Sequence, residues 1–479
     1  MSPNPVRLDR TGDILSDVRK ADSSKDVYSL LAEEPCHPER STLGAPRSGV
    51  SGGRGPRRQV FVVGVEAKDL LLAMRRLARK CARVSQASIL KPGRVLTFAV
   101  LAALFTSAFS GCRRHDFPQY DPKYREYAYV TNGGSGTVSI YDVVNVRVDR
   151  ELSVGQNPAF VVASPTRNEV YVVNSGAPAG QGSVSVINAE SNSVAGTIPV
   201  HRQPVSMAVD PTGDLAYIAN AASNSVSVVD LKQRREVERI GVGEQPVSIR
   251  VSPDGKAVVV ANRDGNSISV INPSTRKVRA VFEGCPGAND IVILPDSSKA
   301  FAACSGSHQV MAVLLAHKSD RPDVREVPID QLEAMLDVGR APVQLALKPD
   351  GGELFVSNSL SNSISEVITS TNDVSGAYLM GATPVRGLVS GDNALLYVGN
   401  LHSQEVTVYS IDDGKRAGSV HVGDGPSALA FSAAGHLLFV VDAHSGDVAV
   451  VRTANRSLFT MLPAGRNPNA IAVKAVKLL

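Results

Sequence analysis

The chain has 479 residues, 43% hydrophobic and 20% charged, with 12 Phe, 11 Tyr and no Trp, enough length for one large domain or two to three ordinary ones. Its formal net charge of +4 is unevenly placed: residues 1–111 carry 18 Lys and Arg against 10 Asp and Glu, and residues 112–479 the remaining 32 against 36. A mildly acidic body with few aromatic platforms excludes a general pull toward nucleic acid, and the lack of Cys-x-x-Cys-His excludes covalent haem attachment.

Residues 1–73 show no sustained period of 2 or 3.6, and the stretch from Pro35 to Arg58 is rich in Arg, Gly, Ser and Pro, which cannot bury a core. Two readings follow, a disordered basic tail or a non-native extension ahead of a start at Met74. From Met74 the order changes. Arg75, Arg76, Arg79, Lys80, Arg83, Lys91 and Arg94 precede an uncharged, mostly apolar run from Val95 to Phe109, which Ser110-Gly111-Cys112 closes. Fifteen helical residues span roughly 22 Å, short of a roughly 30 Å hydrocarbon core, so the run predicts a signal peptide over 74–111 and not a membrane span. Small residues before Cys112 are similar to the lipobox of bacterial lipoproteins, implying lipidation at Cys112, although Phe109 departs from the usual aliphatic residue. The alternative is an ordinary secretory signal. Residues 112–126, with Pro118 and Pro122, read as a tether.

From Tyr127 one pattern recurs. A short apolar run closes on a polar residue, at Asn132, Asn174, Asn220, Asn262, Ser305, Asn358, Asn400 and Asp442, and an alternating segment such as Ser225-Val226-Ser227-Val228 follows. Asn and Asp suit such a corner because they bond nearby backbone and tolerate a left-handed conformation. A proline-led run precedes each unit, at Pro158, Pro204, Pro246, Pro342, Pro384, Pro426 and Pro468, with Ala288 in the odd one. A period of about forty residues built of short strands predicts a propeller: all-β, eight four-stranded blades with strands A to D, over 127–479. The repeat starts on a B strand and ends on an A strand, so the C-terminal strand is expected to close the first blade. Seven blades is the alternative. Blade 5 is irregular, with Cys285, Cys304, an insertion between Leu315 and Val338, and a predicted short helix over Ile329–Leu336.

The segment Ala128-Tyr129-Val130-Thr131-Asn132-Gly133-Gly134-Ser135-Gly136-Thr137-Val138-Ser139-Ile140-Tyr141-Asp142 resembles the repeat that names the YVTN β-propeller family, which includes YncE-like secreted proteins. The resemblance covers essentially all of 127–479. It implies a propeller in the bacterial cell envelope, facing the periplasm or held at the outer membrane, and carries over no catalytic residue.

The D–A and B–C loops share one face, here the upper face, and chemistry is expected there. Arg263, Asp290, Arg340 and Arg386 surround the irregular blade 5 and are the candidate ligand-binding residues. Guanidinium groups favour an anionic partner because they bind carboxylate bidentately. The competing reading is that these arginines pair with Asp264, Asp290 and Asp296 and bind nothing. His308, His402 and His444 lie on loops of blades 5, 7 and 8, and sheets packed roughly 10 Å apart keep blades 5 and 7 from sharing an ion, so no metal site is expected. No Gly-x-Ser-x-Gly or His-Glu-x-x-His occurs. Zero Trp sets the chain apart from quinone-dependent propeller dehydrogenases, so no cofactor is expected. Cys285 and Cys304 are a candidate disulfide, with their offset along the blade counting against it. The expected function is a monomeric envelope scaffold that binds an anionic small molecule, a glycan or an envelope protein, and meets the membrane through a lipid anchor alone. The alternative is a propeller enzyme of lactonase or lyase type. Exposed leucine or tyrosine patches on the upper face would favour the binder, and a cleft of groups with perturbed pKa the enzyme.

Overall fold

The computed structural model describes residues 118–317 and 326–476. The expectations for residues 1–73, for the signal peptide 74–111 and for lipidation of Cys112 lie outside the described residues.

Eight four-stranded antiparallel sheets form the ring. Seven are built from consecutive strands, and the eighth joins Pro468–Val476 to Arg125–Asn132, Thr137–Asp142 and Arg147–Ser153. Strand A of blade 1 is thus the last strand of the chain, pairing Ile471 with Val130 and Val473 with Ala128. Closure gives the first blade an inner strand like the others, so only short edges remain, the arrangement that protects a sheet protein from edge-to-edge association.

Alternation sends successive side chains of each strand to opposite faces, and both faces are covered by neighbouring blades. Each seam between neighbours holds one apolar cluster. Tyr129 and Val172 meet between blades 1 and 2, Phe301 and Val356 between blades 5 and 6, and Phe439 and Val130 between blades 8 and 1.

The Asn that closes strand B is fully buried in six blades, and its Nδ2 donates to a hydroxyl on strand C: Ser139, Ser185, Ser227, Ser269, Ser365 or Thr407, at 2.9–3.0 Å. In five of these blades a glycine three residues before strand A lies directly over that Asn. A Cβ on Gly155, Gly243, Gly339, Gly381 or Gly465 would stand 2.6–2.8 Å from an atom of the Asn side chain, so no larger residue fits without displacement.

Blade 5 uses other chemistry at this point. Strand B ends at Cys304, not Ser305, because Cys304 pairs with Ala288 as Asn262 pairs with Pro246. Cys285 occupies the glycine position, three residues before Ala288. The two are joined by a disulfide with Cα atoms 4.8 Å apart, both fully buried. The offset that counted against the bond is therefore bridged by the same close approach that elsewhere seats glycine on Asn.

Two further expectations change. The expected helix over Ile329–Leu336 is instead the outer strand Gln331–Asp337, paired with Gln309–Leu314. Just before this strand Asp330 accepts two 2.8 Å bonds from Arg279 and one of 2.7 Å from the Ala316 amide. Residues 125 and 126, assigned to the tether, open the first strand. Glu126 is fully buried, accepting from the Ala433 amide and the Tyr124 hydroxyl, while Tyr120 and Tyr124 stack at 4.8 Å beside His436.

Candidate functional site

Every strand A begins with a register slip against strand B, between its first and third residues in seven blades, Pro468 and Ala470 of the last strand included, and between Ala288 and Ile291 in blade 5. Bulges bend a strand and re-aim the side chain beside them. The residue two places after the start of strand A is set apart in this way near the upper mouth of the channel. Going round the ring from blade 3, that position holds Ser206, Ser248, Asp290, Gln344 and Arg386, then Ala428, Ala470 and Phe160. Five consecutive blades are polar there and three are apolar.

The polar arc is wired across the blades. Asp290 accepts from the Ser248 hydroxyl and from Nη2 of Arg250 in blade 4, and from the Leu345 amide in blade 6, each at 3.2 Å. Gln344 Oε1 accepts from the Gly387 amide of blade 7 at 2.6 Å, and its Nε2 donates to the Leu345 and Gly387 carbonyls. These contacts satisfy side chains that the mouth largely buries, as burial demands.

Arg386 stands apart. Its Nε is buried with no hydrogen-bond partner, and among the described residues no carboxylate pairs with the side chain. A buried donor left unpaired costs about 1–3 kcal/mol, more when charged. The acid expected to neutralise it, Asp290, is already committed to Arg250.

The four candidate residues are therefore strung along blades 4 to 7, and among the described residues no ion pair joins Asp290 to Arg340 or Arg386. Arg263 Nη2 donates to Asn289 Oδ1 at 2.8 Å, which ties it to blade 5. Arg340 is exposed on the D–A loop ahead of blade 6. Asp264 is exposed, and Asp296 is turned to the Ser298 amide and hydroxyl, so neither is seen with these arginines. Arg250 was missed by the sequence reading, although its place four residues into strand A of blade 4, facing Asp290 of blade 5, follows from repeat arithmetic.

The histidines are spread. His308 Nδ1 accepts from the Ala341 amide at 3.2 Å, His402 shares a 3.0 Å bond with Thr383, and the His402 and His444 rings lie 6.5 Å apart. Among the described residues, no group of three or more His, Cys, Asp and Glu is arranged to hold a metal ion.

One carboxyl on this side of the ring is strongly perturbed. Asp442 replaces the recurrent Asn in blade 8, and Ala449 stands where the six Asn-bearing blades carry the hydroxyl partner. Burial, with Asp447 close by, pushes its pKa up to about 8, against a Gly423 amide bond at 3.1 Å that favours the charged form. A shallow cleft of about 610 Å3 lies nearby, lined by Ser135, Glu151, His444, Arg466 and neighbouring loop residues. Asp442 is not part of its wall and is fully buried.

A sequence model of the YNCE-like beta-propeller family matches residues 184–435. No curated protein sequence matches the chain significantly. Among solved structures, dihydro-heme d1 dehydrogenase NirN in complex with DHE is similar with a TM-score of 0.58 and 16% identity, over 74% of this chain and 76% of that one. A candidate 6-phosphogluconolactonase from Bacteroides uniformis ATCC 8492 gives a TM-score of 0.51 at 16% identity, over 74% and 99%. Another from Bacteroides fragilis NCTC 9343 gives 0.51 at 16%, over 75% and 100%. At such identity the likeness is one of fold.

Proposed function

We propose, from the premise that the chain belongs to the YncE-like β-propeller family, that it is an exported binding protein of the bacterial envelope, whose upper mouth receives an anionic, carboxylate-bearing ligand. The observation that carries this reading is Arg386, a half-buried arginine with no carboxylate partner among the described residues, beside an arc where Asp290 and Gln344 are engaged. A guanidinium in that state gains most from a carboxylate, which accepts two parallel N–H bonds and supplies the missing charge. Export is supported by the basic–apolar–cysteine order of residues 74–112 and by the Cys285–Cys304 bond, which suits an oxidising compartment.

The enzymatic reading has one feature in its favour, the perturbed Asp442. A general acid must come within hydrogen-bond reach of its substrate, and Asp442 is fully buried outside the nearby cleft. We therefore favour binding.

The test is thermal unfolding of the wild type and Arg386→Ala against malonate, succinate, citrate and glucuronate. Ligand at about a hundredfold its Kd stabilises by about 2.7 kcal/mol, so at least one acid should raise the wild-type Tm by several degrees and leave the variant unmoved. The unliganded variant should melt close to the wild type. Equal shifts in both proteins, or none in either, would remove Arg386 as the site.

A further inference from the structure

Blade 6 departs from its siblings at two upper-face positions. The second residue after the end of strand B is Leu360, where the other blades carry glycine, Ala222, Asp264, His402 or His444. The residue that pairs with the first position of strand C is Leu379, where blades 1, 3, 4, 5, 7 and 8 carry Ser153, Gly241, Glu283, Asp337, His421 and Pro463. Leu360 is 64% exposed and Leu379 81%. Single exposed leucines are ordinary, but these two replace small or mostly polar residues at equivalent backbone sites of one blade.

The same corner holds the arginines. The Leu360 amide donates to the Arg340 carbonyl at 3.2 Å, the Met380 amide to the Asn362 carbonyl at 2.9 Å, and the Thr383 amide to Asn362 Oδ1 at 2.8 Å. The B–C turn of blade 6 is thus flanked by Arg340 on one side and by the Leu379–Thr383 loop on the other. That loop leads into Pro384 and Arg386 at the channel. From channel to rim the order is Arg386, then Leu360 beside Arg340, then Leu379. Strands spaced about 4.8 Å apart put the inner and outer strands of one blade about 14 Å apart, so a segment from Arg386 on the inner strand of blade 7 to Leu379 on the outer strand of blade 6 needs at least four to five extended residues.

Resting on the anion-binding reading above, we propose that the ligand is a polypeptide segment lying extended across the upper face of blade 6, with a carboxylate on Arg386 and apolar side chains over Leu360 and Leu379. Arg340 adds positive charge midway, so a segment rich in acidic and aliphatic residues is the complementary one. A chain terminus or an Asp or Glu side chain would each supply the carboxylate.

The experiment is selection of random heptapeptides on the immobilised, purified protein, from one library displayed with free C-termini and one displayed internally. Selected sequences should carry a carboxylate and one or two aliphatic or aromatic residues within five positions. Enrichment in the free-terminus library alone would identify a chain end, and enrichment in both an acidic side chain. Leu360→Ser with Leu379→Ser should cut enrichment at least tenfold without lowering the Tm, and Arg386→Ala should remove the preference for a carboxylate. Carboxylate peptides with no apolar preference, retained by the double serine variant, would overturn the peptide proposal and leave the anion site standing. Apolar peptides indifferent to Arg386→Ala would overturn the anion reading along with it. No enrichment from either library would overturn the peptide proposal outright.

Discussion

Two arcs of one ring, built on the same backbone plan, differ in what they place at the channel mouth. From blade 3 to blade 7 the third position of strand A is polar, and Asp290 and Gln344 tie blades 4 to 7 together. From blade 8 to blade 2 it is Ala428, Ala470 and Phe160, and the seams there are held by packing, as where Val473 and Ile471 lie against the Phe439 cluster. The scaffold is therefore indifferent to polarity at this position, since both solutions close the ring. Side chains that the scaffold does not need are the ones free to serve a ligand, and Arg386, at the end of the polar arc, pairs with no carboxylate among the described residues.

The contrast can be broken most forcefully at Asp290. Asp290→Ala strips the partner from Arg250 and from the Leu345 amide, and removing one member of a buried pair costs about 3–5 kcal/mol, nearer 2–4 here because Arg250 is partly exposed. On the apolar arc, Ala428→Ser breaks no bond and only buries a hydroxyl, which should cost less, about 1–2 kcal/mol. Urea unfolding of both variants checks the difference.

Asp442 offers the next largest effect, and its sign depends on pH. An unfolded Asp loses its proton near 3.8, while the folded carboxyl holds it to about 8. Below the lower value both states are protonated and the site is neutral for stability. As pH rises between the two values only the folded state keeps the proton, so stability falls and then levels above about 8. Asp442→Asn restores the residue used in six other blades. It should change little at pH 4 and stabilise by about 2–4 kcal/mol at pH 9, as read from Tm against pH.

A smaller effect belongs to the disulfide. Replacing both cysteines by serine should cost about 2–3 kcal/mol for a closed loop of roughly twenty residues. Cys285→Gly with Cys304→Asn installs the glycine–asparagine contact of other blades, but Met311 stands where six of them carry the hydroxyl, so the buried amide stays unpaired and the variant should be no more stable than the serine pair. A clear gain over the serine pair would show that the glycine–asparagine contact alone substitutes for the bond.

Much of this architecture was legible because the repeat is local. The proline-led strand, the Asn corner and the alternating strand recur within a few residues, and the half-blade at each end announces closure. What failed needed strand register within a blade or contacts between blades. Ser305 looked like the Asn of blade 5 because a polar residue follows the apolar run, and pairing with Ala288 moved the position to Cys304. The run from Ile329 to Leu336 is short and apolar enough for either helix or strand, and the free edge of Gln309–Leu314 chose the strand. The arginines of the mouth were visible as residues. That Asp290 belongs to Arg250, leaving Arg386 without an acid, depends on two strands forty residues apart in sequence.

The measurement that bears most directly on the central claim is an anomalous difference map from a crystal soaked in bromide. An unpaired guanidinium at the mouth should collect a halide, so a peak is expected within about 3.5 Å of the Arg386 side chain. The apolar arc at Ala428, Ala470 and Phe160 should stay clear. Peaks at exposed arginines such as Arg340 and Arg466 with none at Arg386 would contradict the account.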